Sequence, residues 1–463
     1  SGSGNGTLNP YAAAPWVIGV GATDETGRLA GFSSRGSFGD ALQHPSLVAP
    51  GANVASLRSV ATSAGTTGLA SADLQRLTPA ELPYYTTASG TSFSAPQVAG
   101  AVALMLEANP SLTPAKVKDI LARTATPLPK YFYHEAGAGM LNTYAAVLES
   151  AFPERRMGAF RSVVSRNSVR FITSTTQTFA QMVFPNSAAA TNIFIPQNTV
   201  QASVNVSWGL GVNDFGLRLY GANNGLIGES NTLNLPGLTG RREKIVLRNP
   251  ASQTVTSSVR HTGYAGIAQN VFGAVEVTRV EYPALLDLNG LSPVLLADAE
   301  QSLLANLMLP EGKRFNPLFA VSRAELADTI VRSGLVPQYR AGNPMFIDVR
   351  DSYTRNSVES VQSNPTGRLF VDVANGDRFY PNNSASRLIA AIAFVTAANL
   401  DAQAATTTLS VDVADALQIP PAFRGYVAVA LQNGYLVLDG NRFNPNRSVT
   451  RIELAHSINT LVR

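Results

Sequence analysis

A six-residue motif recurs three times in the last third of the chain at a fixed spacing. Gly312-Lys-Arg-Phe-Asn-Pro317 returns as Gly376-Asp-Arg-Phe-Tyr-Pro381 and as Gly440-Asn-Arg-Phe-Asn-Pro445. The period is 64 residues in both steps, since 376 − 312 and 440 − 376 are equal. A fixed period of this length is typical of architectures whose units complete their cores against one another. The sequence therefore predicts a mainly α-helical triple repeat over residues 284–463.

The repeat keeps its phase beyond the motif. A hydroxyl residue followed by arginine opens an apolar helical stretch in each unit, at Ser322-Arg323, Ser386-Arg387 and Thr450-Arg451. The hydroxyl is placed to cap that helix. Asp348 and Asp412 are also 64 residues apart, and Asp287 is a shifted counterpart. Each unit is interpreted as a glycine turn, a Phe-Pro anchor and a capped helix.

Composition limits the class of protein. The 463 residues favour several domains, and 45% hydrophobic with 14% charged residues is enough to build packed cores. The chain has no cysteine, which excludes disulfides, thiol nucleophiles and zinc–thiolate sites. A net charge of +4 without a basic run argues against nucleic acid as a partner. No apolar stretch is long enough to predict a membrane span.

Residues 1–150 have the layout of an α/β layer fold, because Gly-rich loops alternate with short apolar strands (Trp16–Val20, Ser46–Ala49) and helical patterns. The uncharged stretch Phe93–Leu106 predicts a helix buried on all sides. A second helix, beginning at Thr113 as its cap with Pro114 in the first helical position, is expected on the surface.

Residues 151–283 change to a period of two. Val204, Val206 and Trp208 alternate with polar residues, as in a half-buried strand. Further short runs follow, separated by turn clusters such as Gly221-Ala-Asn-Asn-Gly225. This pattern predicts an all-β sandwich.

One serine stands out chemically. In Gly90-Thr-Ser-Phe-Ser-Ala-Pro-Gln-Val-Ala-Gly100, Ser92 lies between a glycine turn and the start of the uncharged helix. A serine there can attack a carbonyl, with the helix N-terminus and its own N–H stabilising the developing negative charge. By local chemistry alone, a serine at a helix start is more often only a cap.

The same segment resembles the nucleophile motif of the subtilisin-like serine proteases, with Gly-Thr-Ser followed by Pro96 and Val98-Ala-Gly100. Segments around Val17–Thr23, Ala49–Gly51 and Gly137–Asn142 resemble other parts of that family in the same order. The resemblance implies the C-terminal half of a subtilisin-like catalytic domain, a partial α/β fold with a parallel sheet and a buried nucleophile helix. It also implies peptide hydrolysis through an acyl-serine, with a protein or peptide as substrate.

Within that resemblance Ser92 is the nucleophile, and Asn5 of Ser3-Gly-Asn5-Gly supplies a side-chain amide to the oxyanion. Local chemistry alone favours an Asn-Gly turn for Asn5. Gln97 occupies a position where the family more often has histidine, outside the catalytic triad. Calcium is possible by family resemblance, although the sequence has no ligand cluster good enough to name.

The family's aspartate and histidine motifs are missing from the chain. His44 and His134, the histidines of the protease-like region, are expected in packing or surface roles, and Asp24-Glu-Thr-Gly27 is interpreted as a turn. The start Ser-Gly-Ser-Gly-Asn-Gly carries no export signal. The expectation is therefore a truncated or nicked protease that needs its missing N-terminal segment. A pseudoenzyme, serving as a non-catalytic cell-envelope binding or structural protein, is the rival.

Two further resemblances complete the prediction. The run Asn213–Gly225 resembles the jelly-roll accessory domains of secreted bacterial proteases. Residues 284–463 resemble S-layer homology repeats, although Ser386-Arg-Leu-Ile replaces the favoured Thr-Arg-Ala-Glu in the middle copy. That resemblance implies an extracellular or cell-surface bacterial protein with cell-wall polysaccharide as a partner. A helical stalk or packing domain that binds no glycan is the alternative.

Overall fold

The computed structural model describes residues 6–37, 44–59, 69–155, 169–231, 241–262, 266–374 and 376–463. Two compact units emerge. One combines the protease-like segment up to residue 168 with Ala284–Arg463, and the other is Val169–Pro283. No helix of the described ranges is both long and apolar enough to cross a membrane.

The protease-like segment is built on a parallel strand pair. β1 (Val20–Thr23) pairs with β2 (Leu47–Pro50) in the register Val20 to Leu47. An antiparallel pair, β3 (Val54–Leu57) and β4 (Tyr85–Ala88), follows. The helices of this part are α1 (Asp73–Arg76), α2 (Thr91–Ala108), α3 (Pro114–Thr124), α4 (Tyr133–Ala136) and α5 (Thr143–Ala151), with 3-10 turns at Pro10–Ala13 and Pro153–Arg155.

The core of this segment lies between β2 and the helices α2, α3 and α5. Its buried members are Leu47, Ala49, Val98, Met105, Val117, Ile120, Leu121 and Ala146. Helix α3 begins as its sequence predicts: the Thr113 side chain accepts a hydrogen bond from the Lys116 N–H, and Pro114 follows the cap. Its buried face is Val117, Ile120, Leu121 and Thr124, whereas Lys116 and Asp119 are exposed.

Two expectations for this region are wrong. The first strand is Val20–Thr23, and Trp16 is 82% exposed ahead of it. Helix α2 is buried on one face only. Ser94, Val98, Ala101 and Met105 face the core, whereas Leu104 is 47% exposed. The absence of charge predicted burial all round, but within the described residues the core covers a single side of the helix.

The described residues between 169 and 283 form two antiparallel sheets. The first has the order β10-β7-β12-β5 and the second the order β6-β11-β8-β9. The strands are β5 (Arg170–Val183), β6 (Ala188–Ile195), β7 (Thr199–Trp208), β8 (Phe215–Tyr220), β9 (Leu226–Ser230), β10 (Arg242–Arg248), β11 (Gln253–His261) and β12 (Gln269–Glu281).

The two sheets pack face to face around one core. Val204, Val206 and Trp208 point inward, as their alternation predicts, and meet Phe215 and Val259 from the second sheet. The Gly221–Gly225 cluster makes the turn between β8 and β9, where the Gly221 N–H donates to the Gly225 carbonyl. A sandwich follows directly from period-two burial on both sheets.

Residues after 283 are helical. The helices are α6 (Pro293–Leu304), α7 (Arg323–Arg332), α8 (Ser352–Gln362), α9 (Arg387–Ala397), α10 (Asp401–Thr406), α11 (Arg424–Gln432) and α12 (Arg451–Leu461), with 3-10 turns at Ala416–Gln418 and Pro421–Phe423. Ser322, Ser386 and Thr450 cap α7, α9 and α12, each side chain accepting from the N–H three residues on.

The arginine after each cap links its unit to another. Arg323 Nε donates to the Phe379 carbonyl (2.8 Å), and Arg387 Nε donates to the Phe443 carbonyl (2.7 Å). The third, Arg451, returns to the first unit, donating from Nε to the Phe315 carbonyl (2.7 Å). Each guanidinium also lies over the ring it serves, 4.9, 5.0 and 5.2 Å from the centroids of Phe379, Phe443 and Phe315. These arginine contacts therefore link the three units in a closed circle, here called the ring of repeats.

The structure does not support Asp412 as the equivalent of Asp348. Asp348 accepts from the N–H groups of Phe379 and Tyr380, at 2.9 Å each. In the last unit the same role falls to Asp415, which accepts from Phe443 and Asn444 at 2.8 and 2.7 Å. Asp412 is exposed and bonds only locally to Ser410. The fixed spacing of 64 selected the wrong aspartate, because Asp348 precedes Phe379 by 31 positions, whereas Asp415 precedes Phe443 by 28.

Asp287 is the full equivalent in the first unit. It accepts from the N–H groups of Phe315 and Asn316 at 2.9 and 2.7 Å. Its distance in sequence to Phe315 equals that of Asp415 to Phe443. The distance in sequence from the aspartate to the phenylalanine is therefore the same in the first and third units, and the second unit is the one that differs.

The repeats also contact the protease-like segment within their common unit. Gln338 Nε2 donates to the carbonyls of Thr124 (3.1 Å) and Ala125 (3.3 Å) at the end of α3. Tyr339 stacks on Tyr144 of α5, with ring centroids 6.3 Å apart. A Cβ on Gly334 would stand 2.1 Å from the Pro127 carbonyl oxygen, so only glycine allows this approach.

Candidate active site

Ser92 is the second residue of α2 and is exposed. The helix begins where β2 ends: the Gly90 N–H donates to the Gly51 carbonyl at 2.8 Å. A Cβ at Gly51 would stand 2.1 Å from Ser94 Oγ and 2.9 Å from the Gly90 carbonyl oxygen, so glycine is required for this close approach. Ser92 is thus held at the carboxyl end of a parallel strand and at a helix N-terminus, where N–H groups are available to an anion.

Side-chain hydrogen bonds fix the position of the helix start. Gln97 Nε2 donates to the carbonyls of Pro50 (2.7 Å) and Phe93 (3.2 Å), which ties α2 to the end of β2. Ser89 Oγ accepts from the Asn53 N–H at 2.8 Å and bridges the loops on either side of β3 and β4. Gln97 therefore has a structural role that needs no imidazole.

The general base is not among the described groups near Ser92. Across the described part of the chain, no imidazole or carboxylate is hydrogen-bonded to the Ser92 hydroxyl. His44 is fully buried and packs beside Gly19, and His134 is stacked on Phe132 with centroids 5.9 Å apart. Both histidines therefore pack in the interior.

A histidine–carboxylate pair does exist, but it lies in the helical repeats. His456 Nδ1 is 2.7 Å from Asp298 Oδ2, and His456 Nε2 is 3.2 Å from the Gly434 carbonyl oxygen. Both ring nitrogens face acceptors, so this imidazole joins α12 to α6 and does not offer a nitrogen to a substrate.

Asp24 forms a turn, as the sequence indicates. Its Oδ1 accepts from the Thr26 N–H (2.9 Å), the Thr26 hydroxyl (2.7 Å) and the Arg28 N–H (3.0 Å). Burial alone would raise the pKa of this carboxyl, but the hydrogen bonds outweigh burial and lower it. A carboxylate committed to its own turn is not an orienting group for a base.

The sequence pattern did not single out Asp73, which holds in place residues 69–84 ahead of β4, here called the insertion before Ser92. This carboxylate is fully buried and accepts from the Thr87 N–H (2.6 Å) and hydroxyl (2.8 Å), the Ala70 N–H (2.9 Å) and Arg58 (2.7 Å). Burial acts to raise its pKa, but the hydrogen bonds, led by that of Thr87, lower it strongly. Asp73 thereby pins the inserted residues to β4, which runs directly into the serine turn.

Asn5 lies outside the described residues. Within the described ranges, no group of three or more His, Asp or Glu side chains is placed to hold a metal ion. The structure therefore places one of the two expected catalytic residues, Ser92, at an exposed helix start.

Comparison with known proteins identifies the families of two segments of the chain. The subtilase family model matches residues 1–145, and the S-layer homology domain model matches residues 414–455. Subtilisin amylosacchariticus of Bacillus subtilis subsp. amylosacchariticus is 35% identical over 146 residues, which are 32% of this chain and 30% of that protein. Serine protease AprX of Bacillus subtilis (strain 168) is 33% identical over 154 residues, covering 32% of this chain and 33% of that protein.

The chain spans about a third of the length of these relatives. Among solved structures, fervidolysin from Fervidobacterium pennivorans, a keratinolytic enzyme related to subtilisin, is similar at 16% identity with a TM-score of 0.25. That match covers 53% of this chain and 45% of fervidolysin. This chain thus carries a subtilase-family segment at residues 1–145, held in a partial subtilisin-like fold, and an S-layer homology domain at residues 414–455.

Proposed function

We propose that this chain is the serine-bearing part of a cell-surface serine endopeptidase that cleaves peptide bonds through an acyl-serine. Ser92 attacks the carbonyl, and its backbone N–H with the Asn5 side chain stabilises the oxyanion. A donor of this kind contributes about 2.7–4 kcal/mol of transition-state stabilisation in a serine protease. The observation that carries the proposal is the exposed Ser92 in the first turn of a helix whose start is hydrogen-bonded, through Gly90 and Gly51, to the end of the parallel strand β2.

The histidine base and its aspartate come from polypeptide that covers α2, in this proposal the N-terminal segment of the same protease. The helix face that continues from Ser92 is exposed and uncharged as far as Leu106, and includes Ala95, Ala99 and Ala103. Small residues allow a second layer of protein to approach the helix closely. Without a base, oxyanion stabilisation and binding alone leave about 10³–10⁴-fold catalysis over water.

The test is covalent labelling with a fluorophosphonate, in the chain alone and in the full-length protease that carries the Asp and His motifs. We expect labelling in the full-length protein, loss of labelling and peptide hydrolysis in Ser92→Ala, and both retained in Ser71→Ala. Ser71 is the matched control because it is an exposed serine of the protease-like segment outside the serine turn. A full-length protein that stays unlabelled would instead support the rival, a non-catalytic envelope protein on a protease-like scaffold.

A variant on the helix face tests the source of the base. Leu104→Glu places a charge on the exposed side of α2, and we expect it to weaken association with the separate N-terminal segment and to lower the labelling rate. Glu107→Gln, an exposed change one turn further on, is the control. Equal association of both variants would show that α2 is not the contact.

We further propose that residues 284–463 comprise three S-layer-homology-like repeats that attach the protein to cell-wall polysaccharide, and that residues 151–283 are a jelly-roll-like accessory domain. The S-layer homology match at 414–455 supports the first statement. The test is retention on purified cell-wall polymer with and without 284–463. Because Gln338 and Tyr339 contact the protease-like segment, circular dichroism must first show that the shortened chain is folded. Equal retention of both folded proteins would reject attachment through the repeats.

A further inference from the structure

The outward face of the sheet β10-β7-β12-β5 has an unusual set of side chains. One cross-strand row places Arg242, Ser207, Phe272 and Ala180 side by side, and the next places Lys244, Asn205, Ala274 and Thr178 side by side. The opposite side of the same strands supplies the sandwich core, with Val206 and Val275 among its buried members. The two rows therefore lie on the outside of the sandwich by strand alternation.

Phe272 is an aromatic residue whose side chain lies outside the sandwich core. It is 55% exposed in a central strand, between Ser207 and Ala180, whose side chains are too small to cover its ring. Met182, paired with Asn270 next along β12, is 46% exposed on the same side. An uncovered ring flanked by small residues gives a flat apolar surface about the width of one sugar ring.

The polar groups beside Phe272 are hydroxyls and an amide held in place. Asn205 Nδ2 donates to Ser203 Oγ at 3.1 Å, which leaves the Asn205 carbonyl oxygen and one N–H pointing away from that bond. Ser207 and Thr178 are both exposed. Hydroxyl and amide groups of this kind suit a ligand rich in hydroxyls, because each can both donate and accept.

The edge strand adds positive charge. Arg242, Lys244 and Arg248 project from β10 on this side, and all three are exposed. Glu276 lies one row beyond Ala274, opposite Ser203. Ser203 and Thr278 are buried, so the accessible area is the end that holds Arg242, Lys244 and Phe272. Arg242 and Lys244 give this end a positive potential, whereas Arg248 lies opposite Gln201 at the other end of the strand.

We propose that this sheet face, defined by Arg242, Lys244, Asn205, Ser207 and Phe272, is a binding surface for an anionic polysaccharide. The apolar C–H side of a sugar ring packs on Phe272, the amide and hydroxyls bind its hydroxyls, and Arg242 with Lys244 binds a carboxylate or phosphate. The face lies on the outer side of a four-stranded sheet. It has one aromatic ring where single-stranded nucleic acid would stack several bases. The surface belongs to the compact unit Val169–Pro283, which contains neither Ser92 nor the helical repeats.

Binding of the full chain to polymers in native affinity gels tests this surface. The polymers are polygalacturonate (carboxylated), a phosphomannan (phosphorylated), neutral dextran and poly-glutamate, which has charge without sugar. We expect retardation by one or both anionic glycans, weakening with added salt, and no comparable effect of dextran or poly-glutamate. Carboxylated and phosphorylated arms decide which anion is recognised.

Variants assign the binding to this face. We expect Phe272→Ala and Lys244→Glu each to weaken glycan binding at least tenfold. The matched controls lie outward on the other sheet: Phe194→Ala, which removes a 60% exposed ring, and Arg260→Glu, which reverses an exposed charge. Both controls should bind as the unchanged chain does. Melting temperatures show whether each variant is folded. If Phe272→Ala does not fold, the result for Lys244→Glu decides the test.

Three results would overturn the proposal. The first is no retardation by either anionic glycan. The second is retardation that survives in the double variant Phe272→Ala/Lys244→Glu, which would assign binding to another part of the chain, such as the repeats. The third is poly-glutamate binding as strong as glycan binding and insensitive to Phe272→Ala, which would indicate attraction by charge alone.

Discussion

The repeats bury charged arginines between their units, whereas the protease-like segment leaves an uncharged helix face exposed. In the repeats, the arginine of each unit is buried and bonded to the phenylalanine carbonyl of another unit, and Arg451 closes the circle on Phe315. In the protease-like segment, α2 carries an uncharged exposed face, and Ser92 has no base among the described residues.

The difference leads us to expect that the repeats depend less on other polypeptide than the serine-bearing segment does. A closed set of interfaces between units buries the helices of the repeats. In the function proposed above, the uncharged exposed face of α2 packs against the N-terminal segment of the protease. We therefore expect the repeats to tolerate isolation in solution better than the serine-bearing segment, and the variants below test both halves of that contrast.

Opening the ring should have the largest effect. Arg451→Ala removes the hydrogen bonds to the carbonyls of Phe315 and Leu309 and the ion pair with Glu325. Loss of one partner of a buried pair is expected to lower the free energy of unfolding of the repeats by about 3 kcal/mol. Since both tryptophans, Trp16 and Trp208, lie outside the repeats, urea unfolding should be followed by the helical circular dichroism signal.

Arg442→Ala is the control for that change, because Arg442 is the exposed arginine of the third motif. It should change the free energy of unfolding by less than about 0.5 kcal/mol. Equal losses in the two variants would mean that ring closure does not stabilise the repeats.

The corrected aspartate gives the next largest effect. Asp415→Ala leaves the buried N–H groups of Phe443 and Asn444 without their acceptor, at an expected cost of about 1–3 kcal/mol. Asp412→Ala should have almost no effect, because Asp412 is exposed. Urea unfolding of both variants measures the difference. The reverse order would restore Asp412 as the structural residue of the third unit.

A pH experiment addresses the insertion before Ser92. The folded pKa of Asp73 is lowered, so its stabilisation is complete above the pKa of about 3.9 of an unfolded aspartate and is lost as pH falls below that value. Asp73→Asn should melt several degrees lower than the unchanged chain at pH 7 and differ less at pH 3. Glu107→Gln, an exposed carboxyl on α2, is the control. A difference that does not depend on pH would show that the Asp73 charge is unimportant.

The smallest effect concerns the backbone of the motif. Tyr380 has φ of 57°, in the left-handed region where the equivalent Asn316 and Asn444 have 56° and 55°. Asparagine tolerates that region better than tyrosine, so Tyr380→Asn should raise the free energy of unfolding by up to about 1 kcal/mol. Asn444→Tyr should lower it by a similar amount. Unchanged stability in both would mean that the repeats relax around this residue.

Much of the architecture was accessible from sequence. The 64-residue period located the motif, its caps and its arginines, and alternation of valines located β7 with its buried face. The chosen aspartate of the third unit was wrong because a period is counted along the chain, whereas an acceptor is selected by its place in space. The burial of α2 was also mispredicted, since absence of charge shows what a helix face tolerates and does not show what covers it.

By itself, the sequence determined the residue types that act locally: the hydroxyl caps of α7, α9 and α12, the glycine turn before Ser92, and the alternation that built the two sheets. Those choices depend on φ, ψ and neighbours within four residues. Tertiary structure alone decided that Arg451 returns to Phe315, that Asp73 is the buried acceptor for β4, and that Arg242 and Phe272 share one outward row. Each of these joins residues distant in sequence, and only the folded chain brings their donors, acceptors and rings within contact distance.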